Sequence, residues 1–135
     1  MLIEIQNSII DALTSLAIFK TVDAWQGDIE ELVKLVHKTP SVHVVYSGAE
    51  FDSPRIMGDI NPPTDMIWST IIIGQNLRDR KSGAVECYSL VEATRVKLTR
   101  FDSGFGWLWP VSEKLLYSGN GLSAYGCGFL IKQNK

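Results

Sequence analysis

Apolar residues recur from the start of the chain at three- and four-residue steps. Leu2, Ile5, Ile9, Ala12, Leu13 and Leu16 form one stripe, with Glu4, Asn7, Asp11 and Ser15 largely opposite. That period predicts an amphipathic helix packed through its stripe. Ile18 to Trp25 mixes Phe19, Thr21, Val22 and Trp25 with polar residues, consistent with a short strand. Gly27-Asp28 then introduces a second helix. Asp28, Glu30 and Glu31 suit the positive end of its dipole, Lys34, His37 and Lys38 sit near the other end, and Ile29, Leu32, Val33 and Val36 form its buried stripe. Thr39-Pro40 stops that helix, because the residue before a proline is pushed out of the helical region.

Two segments carry strong strand signals. Ser41 to Ser47 alternates, with Val42, Val44 and Tyr46 on one face and His43 and Val45 on the other, and Gly48 is expected to end it. Met66 to Arg78 holds the longest apolar strand signal. Ile67, Ser69, Ile71 and Ile73 point one way and Met66, Trp68, Thr70 and Ile72 the other. Apolar groups on both faces predict a central strand, covered on both sides or by helices on one side and a neighbouring subunit on the other. Between these strands, Ala49 to Asp65 is rich in proline and acids around a brief Arg55-Ile56-Met57. It reads as a long loop, an arm reaching a neighbour.

After Gly74 the chain is polar through Lys81, and Ser82 or Gly83 is expected to cap a third helix. Its inner face is Ala84, Cys87, Tyr88, Val91, Thr94 and Leu98. Phe101 to Pro110 carries Phe101, Phe105, Trp107 and Trp109 with two glycines, Gly104 and Gly106, and reads as a short irregular connection. Glu113 to Tyr117 and Leu122 to Lys132 flank Asn120-Gly121, whose tolerance of positive φ suits a tight hairpin. The elements together predict an α+β fold: one domain over residues 1–135, a four- or five-stranded antiparallel or mixed sheet, and about three helices packed mainly on one face. The terminal hairpin falls at or near a sheet edge, where another chain can pair.

Composition narrows the function more than it suggests one. A chain of 135 residues buries about two-thirds of its unfolded surface in a single core. With 13 basic and 15 acidic residues the net charge is −2, which gives no whole-chain attraction to nucleic acid or an anionic membrane. No apolar run reaches the ~20 residues a bilayer crossing needs, and the N-terminus has a helical rather than a signal-peptide pattern. A cytoplasmic site of synthesis is therefore expected. Cys87 and Cys127 lack CxxC spacing and nearby histidines and read as buried reduced thiols. His37 and His43 lie on either side of a proline, without metal-ligand spacing. The glycines match neither phosphate-binding nor dinucleotide loops. No catalytic set, cofactor or metal is expected.

Several stretches in order resemble a family. They are Pro40-Ser41-Val42-His43-Val44-Val45-Tyr46-Ser47-Gly48, then Asn76-Leu77-Arg78 after a strand, then Gly83 with Tyr88 and Leu90 in a helix. Leu108-x-Pro110 follows, before Leu116-Tyr117-Ser118-Gly119 and a closing strand. From about the first helix to Phe129, this order is similar to the small tail protein family of Mu-like phages and prophages. The resemblance implies a fold and role like those of phage tail terminators, which are not enzymes. Such proteins form a ring, commonly a hexamer, that caps the tail tube and meets the head connector. The expected partners are other copies of the chain, tail-tube proteins and head-connector proteins, and the expected location is the virion tail, with assembly in the host cytoplasm. The loop from Ala49 to Asp65 departs from that family in its prolines and acids.

The regions expected to make contacts are that loop, the Asn76 to Lys81 loop and the terminal hairpin, with Arg55, Asn76, Arg78, Arg80, Lys81 and Asn120 as interface candidates. Two other readings compete. A small-ligand or enzymatic domain would line a pocket with Phe101 to Trp109, and a nucleic-acid module would use Arg78, Arg80, Lys81, Arg95, Lys97 and Arg100. The overall charge argues against the latter.

Overall fold

The apolar run around Ile72 occupies the middle of a five-stranded mixed sheet. The structure, a computed structural model, describes residues 1–35, 38–51, 63–75, 80–119 and 121–132, leaving out the side chains of 63–64 and 80–85. In chain order the elements are α1 (Leu2–Thr14), β1 (Thr21–Ala24), α2 (Ile29–Leu35), β2 (Ser41–Phe51), β3 (Pro63–Gln75), α3 (Arg80–Leu98), β4 (Leu108–Gly119) and β5 (Leu122–Lys132). The strands lie in the order β1-β2-β3-β5-β4. Only β1 and β2 run parallel, and the other three pairings are antiparallel.

The two faces of β3 have different covers. Met66, Trp68 and Ile72 join Val42 and Val44 of β2 and Cys127, Phe129 and Ile131 of β5. Beneath them lie Ile5, Ile9 and Leu13 of α1 and Val91 and Leu98 of α3. This is the main core, and burying each large side chain in it stabilises the fold by about 1.5–3 kcal/mol. On the opposite face Ile71, Ile73 and Ala124 pack with Leu32 and Val33 of α2. The helices thus sit mainly on one face, with α2 covering part of the other. In α1 the buried residues are Ile5, Ile9, Ala12 and Leu13, while Leu2, in the first turn, is 40% exposed.

Several boundaries differ from the sequence reading, four of them with a bearing on the surfaces below. Gly48 does not end β2. At φ +143° it sits where the register slips between Tyr46 and Gly48, and the strand continues to Phe51. A glycine accommodates such a bulge, which inserts a residue without ending pairing. The expected loop from Ala49 to Asp65 is strand at both ends, with Ala49 to Phe51 in β2 facing Pro63 to Met66 in β3, and its residues 52–62 lie outside the described residues. α3 begins at Arg80, earlier than Ser82 or Gly83, so Arg80 and Lys81 open a helix rather than close a loop. Lastly, β4 starts at Leu108 instead of near Glu113. Pro110 misleads there: proline is tolerated in an edge strand, whose outer N–H needs no partner.

Candidate assembly surfaces

β4 is an edge strand of 12 residues, and from Trp109 to Leu115 every residue is exposed. Its apolar members are prominent: Trp109 is 39% exposed, Val111 52% and Leu115 54%. Extra residues interrupt its pairing with β5 between Pro110 and Ser112 and between Leu115 and Tyr117, and such bulges bend and twist the strand locally. The hairpin to β5 closes across Gly119 and Leu122, with Gly121 at φ +74°, as an Asn-Gly turn requires.

α3 holds this edge in place. The Arg95 guanidinium donates from Nε to Glu113 Oε2 at 2.6 Å and from Nη2 to Glu113 Oε1 at 2.8 Å, a bidentate pair. Beside it a cavity of about 300 Å³ opens between helix and strand, with Tyr88, Tyr125 and Leu115 on its wall. Tyr88 meets Tyr125 edge-on at 6.2 Å. Desolvation, then Tyr88, pushes the Tyr125 hydroxyl pKa up.

The aromatic connection between α3 and β4 splits in two. Phe101 packs onto the main core, whereas Phe105 and Trp107 are 39% and 48% exposed. A tight turn presents them: Asp102 bridges to Trp107, the Ser103 hydroxyl donates to Gly106 O at 2.8 Å, and Gly104 N–H donates to Asp102 Oδ1 at 2.8 Å. Arg100 lies 5.6 Å above the Trp109 ring, an exposed cation–π contact. Four cavities bounded by described residues are lined elsewhere, so the expected pocket under Phe101 to Trp109 is not among them.

At the opposite edge, His43 is 5% exposed and its Nε2 lies 3.1 Å from Ser41 Oγ, with Asp23 across the parallel pairing. By residue type this is a Ser-His-Asp set. Ser41 is fully buried, so its hydroxyl cannot meet a substrate, and the contact lies within β2 on the face that α2 covers. Desolvation depresses the His43 pKa and Asp23 partly offsets that. Below the ordinary value of 6.5, the unfolded chain gains a proton that the folded imidazole refuses. Stability should therefore fall as pH drops from 6.5 toward the depressed folded value, and His43→Gln should flatten that slope in urea melts. An unchanged slope would show that His43 is not its source. Cys87 and Cys127 are buried free thiols. Burial pushes both up, Cys127 to about 11, which makes them poor nucleophiles.

Of the interface candidates expected from the sequence, Arg55, Asn76, Arg78 and Asn120 lie outside the described residues, and Arg80 and Lys81 are placed only as backbone in the first turn of α3. The structure brings forward others: Trp109, Val111, Lys114 and Leu115 on β4, and Tyr46 and Phe51 on β2. Their signal is present as alternation through Leu108 and Pro110 and through Ala49 to Phe51, hidden by a proline and a glycine. Among the described residues no helix is long and apolar enough to cross a membrane, and no group of three metal-ligating side chains occurs.

No protein-family profile and no curated protein matches the chain. The fold does have a counterpart among solved structures. A chain in the virion of a native gene transfer agent particle aligns over 96% of this protein and 94% of its own length, with a TM-score of 0.57 at 11% identity. The likeness spans nearly all of both chains rather than a shared fragment.

Proposed function

We propose that this protein is a structural component of a phage-like particle, acting as a tail-terminator ring that caps the tail tube and joins it to the head. The observation that carries this reading is the end-to-end correspondence with a gene transfer agent virion chain. The surface chemistry agrees with it. Five exposed apolar side chains, Trp109, Val111 and Leu115 of β4 with Phe105 and Trp107 of the turn before it, gather along one strand edge, as protein contacts need, and the buried Ser41 and the high thiol pKa of Cys127 suit a protein that works through contacts rather than bond-making. A ring would stop tube growth by offering the tube one complementary face and withholding it on the other.

Deleting the gene from the particle-producing genome that carries it tests the reading. Tails of abnormal length, or tails separated from heads, are expected by negative-stain microscopy. Particles with tails of normal length joined to heads would overturn the proposal.

A further inference from the structure

The sheet ends in two unlike edges. One is β4. At the other, β1 pairs only with Ser41 to Val44 of the 11-residue β2, so Val45 to Phe51 has no strand on its outer side among the described residues. β1 departs at Trp25, whose N–H donates to Val44 O at 3.0 Å. Just past that point lies a cavity of about 360 Å³ between α1 and the strands, lined by Gln6, Ala24, Trp25, Gln26, Val45 and Tyr46. Tyr46 is 40% and Phe51 63% exposed along the same open segment.

We propose that β4 of one copy fills this notch in the next, pairing antiparallel with Val45 to Phe51 and carrying the sheet from subunit to subunit. This rests on the assembly reading above and names its junction.

Direction is the first argument. β2 and β3, β3 and β5, and β5 and β4 pair antiparallel in succession, so β4 runs opposite to β2. Copies related by rotation about an axis along the strands therefore meet as an antiparallel pair, with helix-covered face continuing helix-covered face. Length is the second, since β4 with 12 residues spans the open part of β2. Chemistry is the third. Leu115 and Tyr46 lie on the helix-covered face of their strands, each with exposed apolar surface, and the junction removes both from water beside a cavity able to receive a side chain. Charge disfavours the alternative of β4 on β4. Symmetric pairing through the middle of the strand sets Glu113 against Glu113 or Lys114 against Lys114, and like charges directly opposite are destabilising.

Blocking one edge at a time tests the junction. Val111→Lys with Leu115→Lys charges β4, and Ser47→Lys with Phe51→Lys charges β2, all at exposed positions. Unchanged circular dichroism and thermal melts verify folding, and Leu115→Ser and Phe51→Ser serve as milder versions should a lysine variant fail to fold. By analytical ultracentrifugation the unaltered protein should form a closed oligomer and each variant alone a monomer. An equimolar mixture should form a one-to-one dimer, because each pair retains one intact junction. Dimers of the β2 variant alone would overturn the junction in favour of β4 on β4. Variants that assemble like the unaltered protein would overturn it while leaving the assembly reading standing. An unaltered protein monomeric at every concentration would overturn both.

Discussion

Replacing Trp68 with alanine is expected to destabilise the protein by about 3–5 kcal/mol, the range for emptying a large buried aromatic site. Trp68 is 2% exposed at the centre of the main core and packs against Tyr46 with ring centroids 5.1 Å apart. Its cross-strand partner on β5 is Phe129. Alanine there leaves a void bounded by two strands already fixed by hydrogen bonds, so the walls cannot close on it. A domain with about 5–15 kcal/mol of total stability loses a large share, read as a lower urea midpoint. Trp68→Phe provides the contrast. The indole Nε1 is buried without a hydrogen-bond partner among the described residues, and removing such a donor recovers about 1–3 kcal/mol of desolvation cost. Phenylalanine should therefore cost far less than alanine. Equal losses for the two would mean that this site's packing is not what the structure shows.

The second large effect is expected at Gly106. Gly106→Ala should cost about 3 kcal/mol or more, combining overpacking and a backbone conformation that side chains rarely adopt. Its φ is +155°, and an added Cβ would fall 2.6 Å from Lys132 O and 2.8 Å from Ile131 Cγ2. Backbone of β5 cannot yield as a flexible side chain does, so the turn carrying Phe105 and Trp107 must shift. Gly104→Ala in the same turn isolates the conformational part. At φ +90° with open space around it, it should cost only about 1–2 kcal/mol. Thermal melts of the pair check this ordering. A tolerated Gly106→Ala beside a damaging Gly104→Ala would contradict it. Since the turn leads directly into β4, Gly106→Ala should also weaken assembly more than Gly104→Ala does.

Much of the fold is legible in the chain because burial writes its period there. The α1 stripe through Ile5, Ile9 and Leu13 and the two-sided pattern of β3 both stand where the alternation of residues places them. The errors cluster where one residue type has two meanings. Gly48 can end a strand or accommodate a bulge, and Pro110 is forbidden in a central strand but allowed at an edge. Local sequence does not say which applies, since the answer depends on whether a neighbouring strand demands the N–H. The contact surfaces are hard to read for a related reason. Polar stretches such as Asn76 to Lys81 attract attention by composition, yet the exposed apolar groups Val111 and Leu115 look in sequence like any half-buried strand.

By itself, then, the sequence determined the α+β class, the central place of β3, the helix that covers it first, the reduced buried cysteines and the hairpin turn, because each follows from periodicity or from the φ preferences of a few residues. Only the tertiary structure decided that α2 takes the opposite face from α1 and α3, that β1 stops short of the end of β2, and that β4 rather than β5 is the outer strand of a hairpin the sequence had already placed at or near an edge. Strand order is set by contacts between residues far apart in the chain, and an edge is defined by the neighbour it lacks, which no local pattern encodes.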